Sequence, residues 1–297
     1  MANNVIILGN GFDLDLGLNT SFKSFCESTY FRSLPNISFI KDLRTNNWSD
    51  VEGCIRKHLV EYSKSPNEEL AKKINLLWQG IEYNWGIFLP EQIELEYVTI
   101  NKDSCAYTFL RDSNIKAQWI SFNYTHPRYL CGELDGEEPI CIHNDCVERD
   151  FAKQHKLAFY IPKNLIIGVD SSMPNNVLTN HFLSPIVKKK NSSYNSSIDI
   201  PSLSSEAKRI VLFGHSLGIT DSDYFKEFFL RCIDNTYSGK TIFIVTLNEK
   251  SLNNIKENLY SYDIDYDKLR SSSNELITIY TETGVSKEFK NMMASLY

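Results

Sequence analysis

Four short stretches of this chain carry residues whose types and spacing suit chemistry on a small ligand. Gly9-Asn10-Gly11-Phe12-Asp13 follows the apolar run Val5–Leu8, and Asn123 follows Trp119–Phe122. His143 follows Pro139–Ile142, and Gly214-His215-Ser216 follows Ile210–Phe213, with Asp221 a few residues on. Glycines after a buried strand let backbone amides approach an anion, and a helix start adds partial positive charge. Asparagine offers an amide to a water or a hydroxyl. Histidine, with an ordinary pKa near neutrality, can take a proton.

Gly214 to Gly218 also spells G-x-S-x-G, the nucleophile elbow of serine hydrolases. Two features exclude that chemistry. The hydrolase triad needs a histidine after the serine, yet His58, His126, His143, His155, His181 and His215 all precede Ser216. An elbow also passes straight into a helix, whereas Gly218-Ile219-Thr220 intervene before the candidate caps Asp221 and Ser222.

The elements around these residues predict an α/β fold: a doubly wound, mostly parallel Rossmann-like sheet with a helical insertion after the first strand. Apolar strand-like runs lie at Val5–Leu8, Trp119–Phe122, Pro139–Ile142, Leu165–Gly168, Ile210–Phe213, Thr241–Val245 and Leu276–Tyr280. Helical patterns separate the last three, in DSDYFKEFFLRCID and EKSLNNIKENLYS, and strand–helix alternation of this kind builds parallel sheets. Val51, Ile55, Leu59 and Tyr62 recur at helical spacing, and the pattern resumes after Pro66, so the insertion is expected over about 45–115. The Ser- and Asn-rich run 188–205 reads as a mobile surface loop, with Lys188–Lys190 as solvated charge. The whole chain, 1–297, reads as a single domain. Ligands of such sheets bind beyond the carboxyl ends of the strands, where all four stretches sit.

Composition narrows the function classes. A net charge of −6 over 297 residues lacks the footprint of a duplex-binding protein, so a nucleic-acid partner is disfavoured. No run approaches the ~20 apolar residues of a spanning helix, and MANNVIILGNGFD has no basic leader, so no membrane association is expected. Seven scattered cysteines without a C-x-x-C pair suit a reduced, cytoplasmic setting. Cys141, His143 and Cys146 have no second ligand pair, so no metal is expected.

Gly9, Gly11 and Gly17 give G-x-G-x5-G, not the dehydrogenase G-x-G-x-x-G. The spacing resembles the sirtuin first loop, G-A-G-x-S-x-x-x-G-I-P, with Asp13 where the serine stands. SFNYT at Ser121–Thr125 is similar to the sirtuin T-Q-N-I-D, His143 to the histidine of H-G, and FGHSL to G-T-S-L. The closer resemblance is to the AbiH family of phage abortive-infection proteins, with G-N-G-F-D, W-x-x-x-E, F-N-Y-T, I-H-G and G-x-S-x-x-x-D. These correspond to Gly9–Asp13, Trp48 with Glu52, Phe122–Thr125, Ile142-His143 and Gly214 through Asp221; Asn144 departs from the family glycine.

The resemblance implies a SIR2-like NAD-binding fold and a NAD hydrolase in antiviral defence, cleaving the nicotinamide–ribose bond with NAD as substrate. It implies Asn123 and His143 as catalytic residues. Gly9, Asn10, Gly11 and Phe12 would hold the pyrophosphate and stack near the ribose, and Asp13 would face a ribose hydroxyl. Gly214, His215 and Ser216 would complete the phosphate cradle. Asp221 is a helix cap or an adenosine-ribose contact. Trp48 and Glu52 either close over the pocket or pack with a solvated acid. A non-catalytic NAD or ADP-ribose sensor stays open, as do a phage-derived trigger or partner protein and homo-oligomerisation.

Overall fold

The computed structural model describes residues 3–35, 51–93, 99–112, 115–125, 140–143, 166–190 and 199–297. Trp48, Asn144 and Cys146 lie outside the described residues. The chain divides into two compact units, one of Met1–Leu18, Leu95–Ile142 and Ser197–Tyr297, the other of Asn19–Glu94 and His143–Ser196.

The first unit carries a six-stranded, all-parallel sheet in the order β3-β2-β1-β4-β5-β6. The strands are β1 Asn4–Leu8, β2 Gln118–Ser121, β3 Ile140–Cys141, β4 Arg209–Phe213, β5 Thr241–Thr246 and β6 Glu275–Tyr280. This is the Rossmann order, and its crossovers reverse direction between β1 and β4. β1 is buried along its whole length, as its unbroken Val-Ile-Ile-Leu run requires of a strand covered on both faces. Register fixes the site. Leu8 aligns with Ser121 on one side and Phe213 on the other, and Ser121 aligns with Cys141. The segments after β1, β2, β3 and β4 therefore leave the sheet edge at one level.

Aromatic contacts sort the covering helices into two sets. Phe213 packs against Phe12 of the helix Asn10–Asp15, Phe109 of Cys105–Arg111 and Phe289 of Lys287–Ser295. Phe122, just past β2, packs instead against Tyr224 and Phe225 of the helix Ser222–Ile233. The helix Glu249–Ser261 follows the periodicity of its sequence, with Leu252, Ile255 and Leu259 buried and Asn248 capping its start.

In the second unit, the helices Val51–Lys64 and Glu68–Gln92 flank Pro66 as the pattern predicts. Trp85, Phe25 and Phe88 form its aromatic centre, with centroids 5.0–5.6 Å apart. The helix Cys105–Arg111, expected within the insertion, belongs to the first unit.

Several expectations meet the structure here. The described part of the apolar run 165–168 is not a strand of the sheet. Its backbone is held by side chains and by a neighbouring turn: Trp78 Nε1 donates to the Ile167 carbonyl at 2.8 Å, Gly168 N donates to Glu52 at 2.9 Å, and Val169 N donates to the Ile186 carbonyl at 3.0 Å. Such a segment is as apolar as a buried strand without belonging to a sheet. Lys188, expected as solvated charge, is 2% exposed, and its Nζ lies 3.0 Å from Glu52 Oε2. That ion pair also answers the expectation for Glu52, which is buried in the unit and not a solvated acid. Of the loop expected at 188–205, Lys188–Lys190 forms a 3-10 turn and Ile200–Ser205 a helix, while 191–198 lies outside the described residues.

Candidate functional site

The β1 and β4 loops meet where the crossovers reverse. Gly9 N donates to the Phe213 carbonyl at 2.9 Å, extending the ladder one residue, and Gly11 N donates to the Gly214 carbonyl at 2.8 Å. Side chains do not fit between these backbones. A Cβ on Gly9 would lie 2.5 Å from His215 Cα, and one on Gly11 would lie 2.8 Å from Gly214 Cα. Gly214 also needs its left-handed φ of +67°. The glycines thus let the two loops touch, a purpose that spacing alone does not distinguish from phosphate approach.

Beside this contact lies a buried polar group. Asp13 is 1% exposed, Thr125 1% and Asn123 2%. Asn123 Nδ2 donates to Asp13 Oδ1 at 2.8 Å, and the Thr125 hydroxyl donates to Asp13 Oδ2. Asn123 N donates to the Ser121 hydroxyl at 3.2 Å. Asn123 Oδ1 is buried and has no hydrogen-bond partner among the described residues. Leaving a buried amide oxygen unsatisfied costs about 1–3 kcal/mol, so a donor that reached this atom would be bound favourably.

Where the resemblance implies a ribose hydroxyl for Asp13, the carboxylate faces Asn123 and Thr125, each of its oxygens taking one of these side-chain donors. Phe12 is fully buried with its ring edge-on to Phe213 at 4.8 Å, and its N–H donates to the Gly9 carbonyl at 2.8 Å, so neither the ring nor the N–H is presented to a ligand. Neither orientation is visible in G-N-G-F-D. Thr125, within F-N-Y-T, is the residue sequence reasoning passed over.

His215 is 5% exposed and edge-on to Phe122 at 4.5 Å, with Phe225 at 4.8 Å. Its Nδ1 accepts from Leu217 N at 2.9 Å, which leaves the proton of the neutral ring on Nε2. Nε2 lies 3.8 Å from Asp221 Oδ2. Asp221 occupies the cap position of the helix Ser222–Ile233, yet its side chain makes no cap hydrogen bond. Its carboxylate turns toward His215 instead. Burial, with the Asp221 charge adding, pushes the Tyr262 hydroxyl well above its usual range. Ser216 is exposed, and a 3-10 turn, Ile219–Asp221, separates it from the helix, unlike an elbow serine. Leu217 holds a left-handed φ of 52° while fully buried, a strained conformation for a side chain of its size.

Three of the four sequence-predicted stretches are thus brought to one sheet edge within the first unit: Gly9–Asp13, Asn123, and Gly214–Ser216 with Asp221. His143 is the first residue of the second unit, 4% exposed, and its carbonyl accepts from Ile166 N at 3.1 Å. No group of three or more His, Cys, Asp or Glu side chains suited to a metal occurs among the described residues, and no described helix is long and apolar enough to cross a membrane.

A six-stranded, all-parallel sheet in the Rossmann order, flanked by helices, defines the class as a Rossmann-like α/β protein. Within that class, residues 5–243 match the family model described as "Bacteriophage abortive infection AbiH", and the chain belongs to the AbiH family. No curated protein and no solved structure matches the chain. The family match indicates a role in phage abortive infection.

Proposed function

We propose that this chain is a SIR2-like NAD hydrolase that cleaves the nicotinamide–ribose bond during abortive infection. The observation that carries the reading is Asn123 Oδ1: a buried amide oxygen, oriented by Asp13, with no partner among the described residues. It offers an acceptor to the attacking water or to a ribose hydroxyl. The parallel-sheet edge on which it sits is where nucleotides bind in this architecture.

In the proposed reaction, water adds to the anomeric carbon as the bond to nicotinamide breaks. The bonding electron pair leaves on the pyridinium nitrogen, so nicotinamide departs neutral while positive charge builds on the ribose. His143, placed after β3 as Asn123 is after β2, takes the proton that the water releases. Gly9, Gly11, Phe12 and Gly214 shape the wall of the diphosphate site with their N–H groups committed to carbonyls, and Asn10 and Ser216, the exposed residues of the two loops, meet the diphosphate beside His215. The Leu217 N–H, donating to Nδ1, holds the His215 ring in the tautomer described above, with the Asp221 carboxylate on the Nε2 side. NAD enters as substrate, and no metal takes part in these steps. The compartment proposed is the cytoplasm.

The test is the purified full-length chain incubated with NAD, with and without phage components, while nicotinamide and ADP-ribose are followed. Equal release of the two products supports the reading. Measurable NAD binding without turnover transfers it to a sensor of NAD or ADP-ribose.

A further inference from the structure

An asparagine amide has two states related by a flip, and they present opposite chemistry: oxygen outward accepts hydrogen bonds, nitrogen outward donates them. The contacts of Asn123 decide between them. A carboxylate only accepts, so the atom of Asn123 that meets Asp13 Oδ1 at 2.8 Å is Nδ2, and the oxygen points the other way. The Thr125 hydroxyl occupies the second carboxylate oxygen, so Asp13 cannot turn away without breaking that bond as well. All three side chains are buried, where an unmade hydrogen bond is costly.

We propose that Asp13 and Thr125 are positioning residues that lock the Asn123 amide with its oxygen toward the ligand. This point of the site then takes a hydrogen-bond donor, a sugar hydroxyl or a water, and refuses a phosphate or carbonyl oxygen. The inference rests on the reading that Asn123 meets the ligand. It deepens that reading by fixing the polarity of the group bound there: the sugar or its attacking water sits over Asn123, and the diphosphate sits elsewhere.

Asp13→Asn and Asp13→Ala separate orientation from charge. An asparagine at position 13 still accepts from Asn123 Nδ2 through its own oxygen and can donate to Thr125, so D13N keeps the lock without the charge. D13A removes it. Asparagine-selective nitrogen-15 labelling reads the lock without any ligand, the Asn123 amide pair being identified by its loss in N123D. One proton of that pair should be shifted downfield and protected from exchange in the wild type and in D13N, and not in D13A. In NAD turnover, D13A should lose about 100-fold or more in kcat with KM within about fivefold, and D13N should retain at least about a tenth of the rate. The double variant D13A/N123A should be no slower than N123A, since both remove one unit.

Where D13A does not fold, the near-isosteric Thr125→Val reads the same lock through a weakened amide signal and a rate loss of about tenfold. D13N as slow as D13A, a wild-type amide signal in D13A, or losses that multiply in the double variant would each overturn the proposal. A wild type that is inert toward NAD but shows the protected amide proton defeats the hydrolase reading and leaves the lock standing.

Discussion

Gly11 donates its backbone N–H to the carbonyl of Gly214 at 2.8 Å, joining two loops that are some two hundred residues apart in the chain. The contact sits where the sheet's crossovers reverse, the position at which doubly wound folds keep their ligand crevice. Here glycine backbones fill that position. The buried polar group of Asp13, Asn123 and Thr125 is displaced toward β2.

The interlock makes Gly214→Ala a severe change. Its Cβ would fall 2.2 Å from Phe12 N, and backbone cannot yield as a side-chain tip can, while φ is +67°. Gly239 has a similar φ of +69°, and a methyl group there would meet nothing within 4 Å, so Gly239→Ala isolates the conformational cost. Denaturant unfolding should show ~1 kcal/mol lost in G239A and ~3 kcal/mol or more in G214A. Equal losses would mean the two loops are not packed as described.

The Glu52–Lys188 pair should behave as a buried ion pair. Lys188→Met leaves the Glu52 carboxylate without its cation in a buried setting and should cost ~3–5 kcal/mol. Glu52→Gln keeps an oxygen for Gly168 N, so the double variant E52Q/K188M should regain most of that loss. Additive losses by thermal melting would contradict the pairing.

Glu82 gives a pH dependence. Burial raises its pKa from the ordinary carboxylate range to about 7. The folded state therefore holds a proton that the unfolded state has released. The stabilisation is complete below the unfolded pKa and is lost as pH rises through about 7. Glu82→Gln should flatten this decline and raise stability at pH 8 by ~1–2 kcal/mol, a figure reduced for partial solvent access. Parallel melting curves for wild type and E82Q between pH 5 and 8 would refute the assignment.

Much of the frame was legible. Val5–Leu8, Ile210–Phe213 and Thr241–Val245 are apolar enough to declare buried parallel strands, and their order with the intervening helices implies the doubly wound sheet. Ile166 and Ile167 misled because helices can bury a segment as completely as a sheet can. Lys188 misled because its partner lies 136 residues upstream, beyond any local pattern. Asn123 stood out by following a strand. Its lock to Asp13, 110 residues away, needed the fold, and so did the inward turn of Phe12.

The proposal that Asn123 and His143 carry hydrolysis of NAD is tested most directly by initial rates of nicotinamide release from wild type, N123A and H143A. Thermal melting checks that each variant folds, since either substitution can cost ~1–2 kcal/mol through a lost buried hydrogen bond. Each variant, folded, should fall by about 10²–10⁴-fold or more while NAD binding changes little. Turnover by the wild type with near-normal rates in both variants would contradict the proposal.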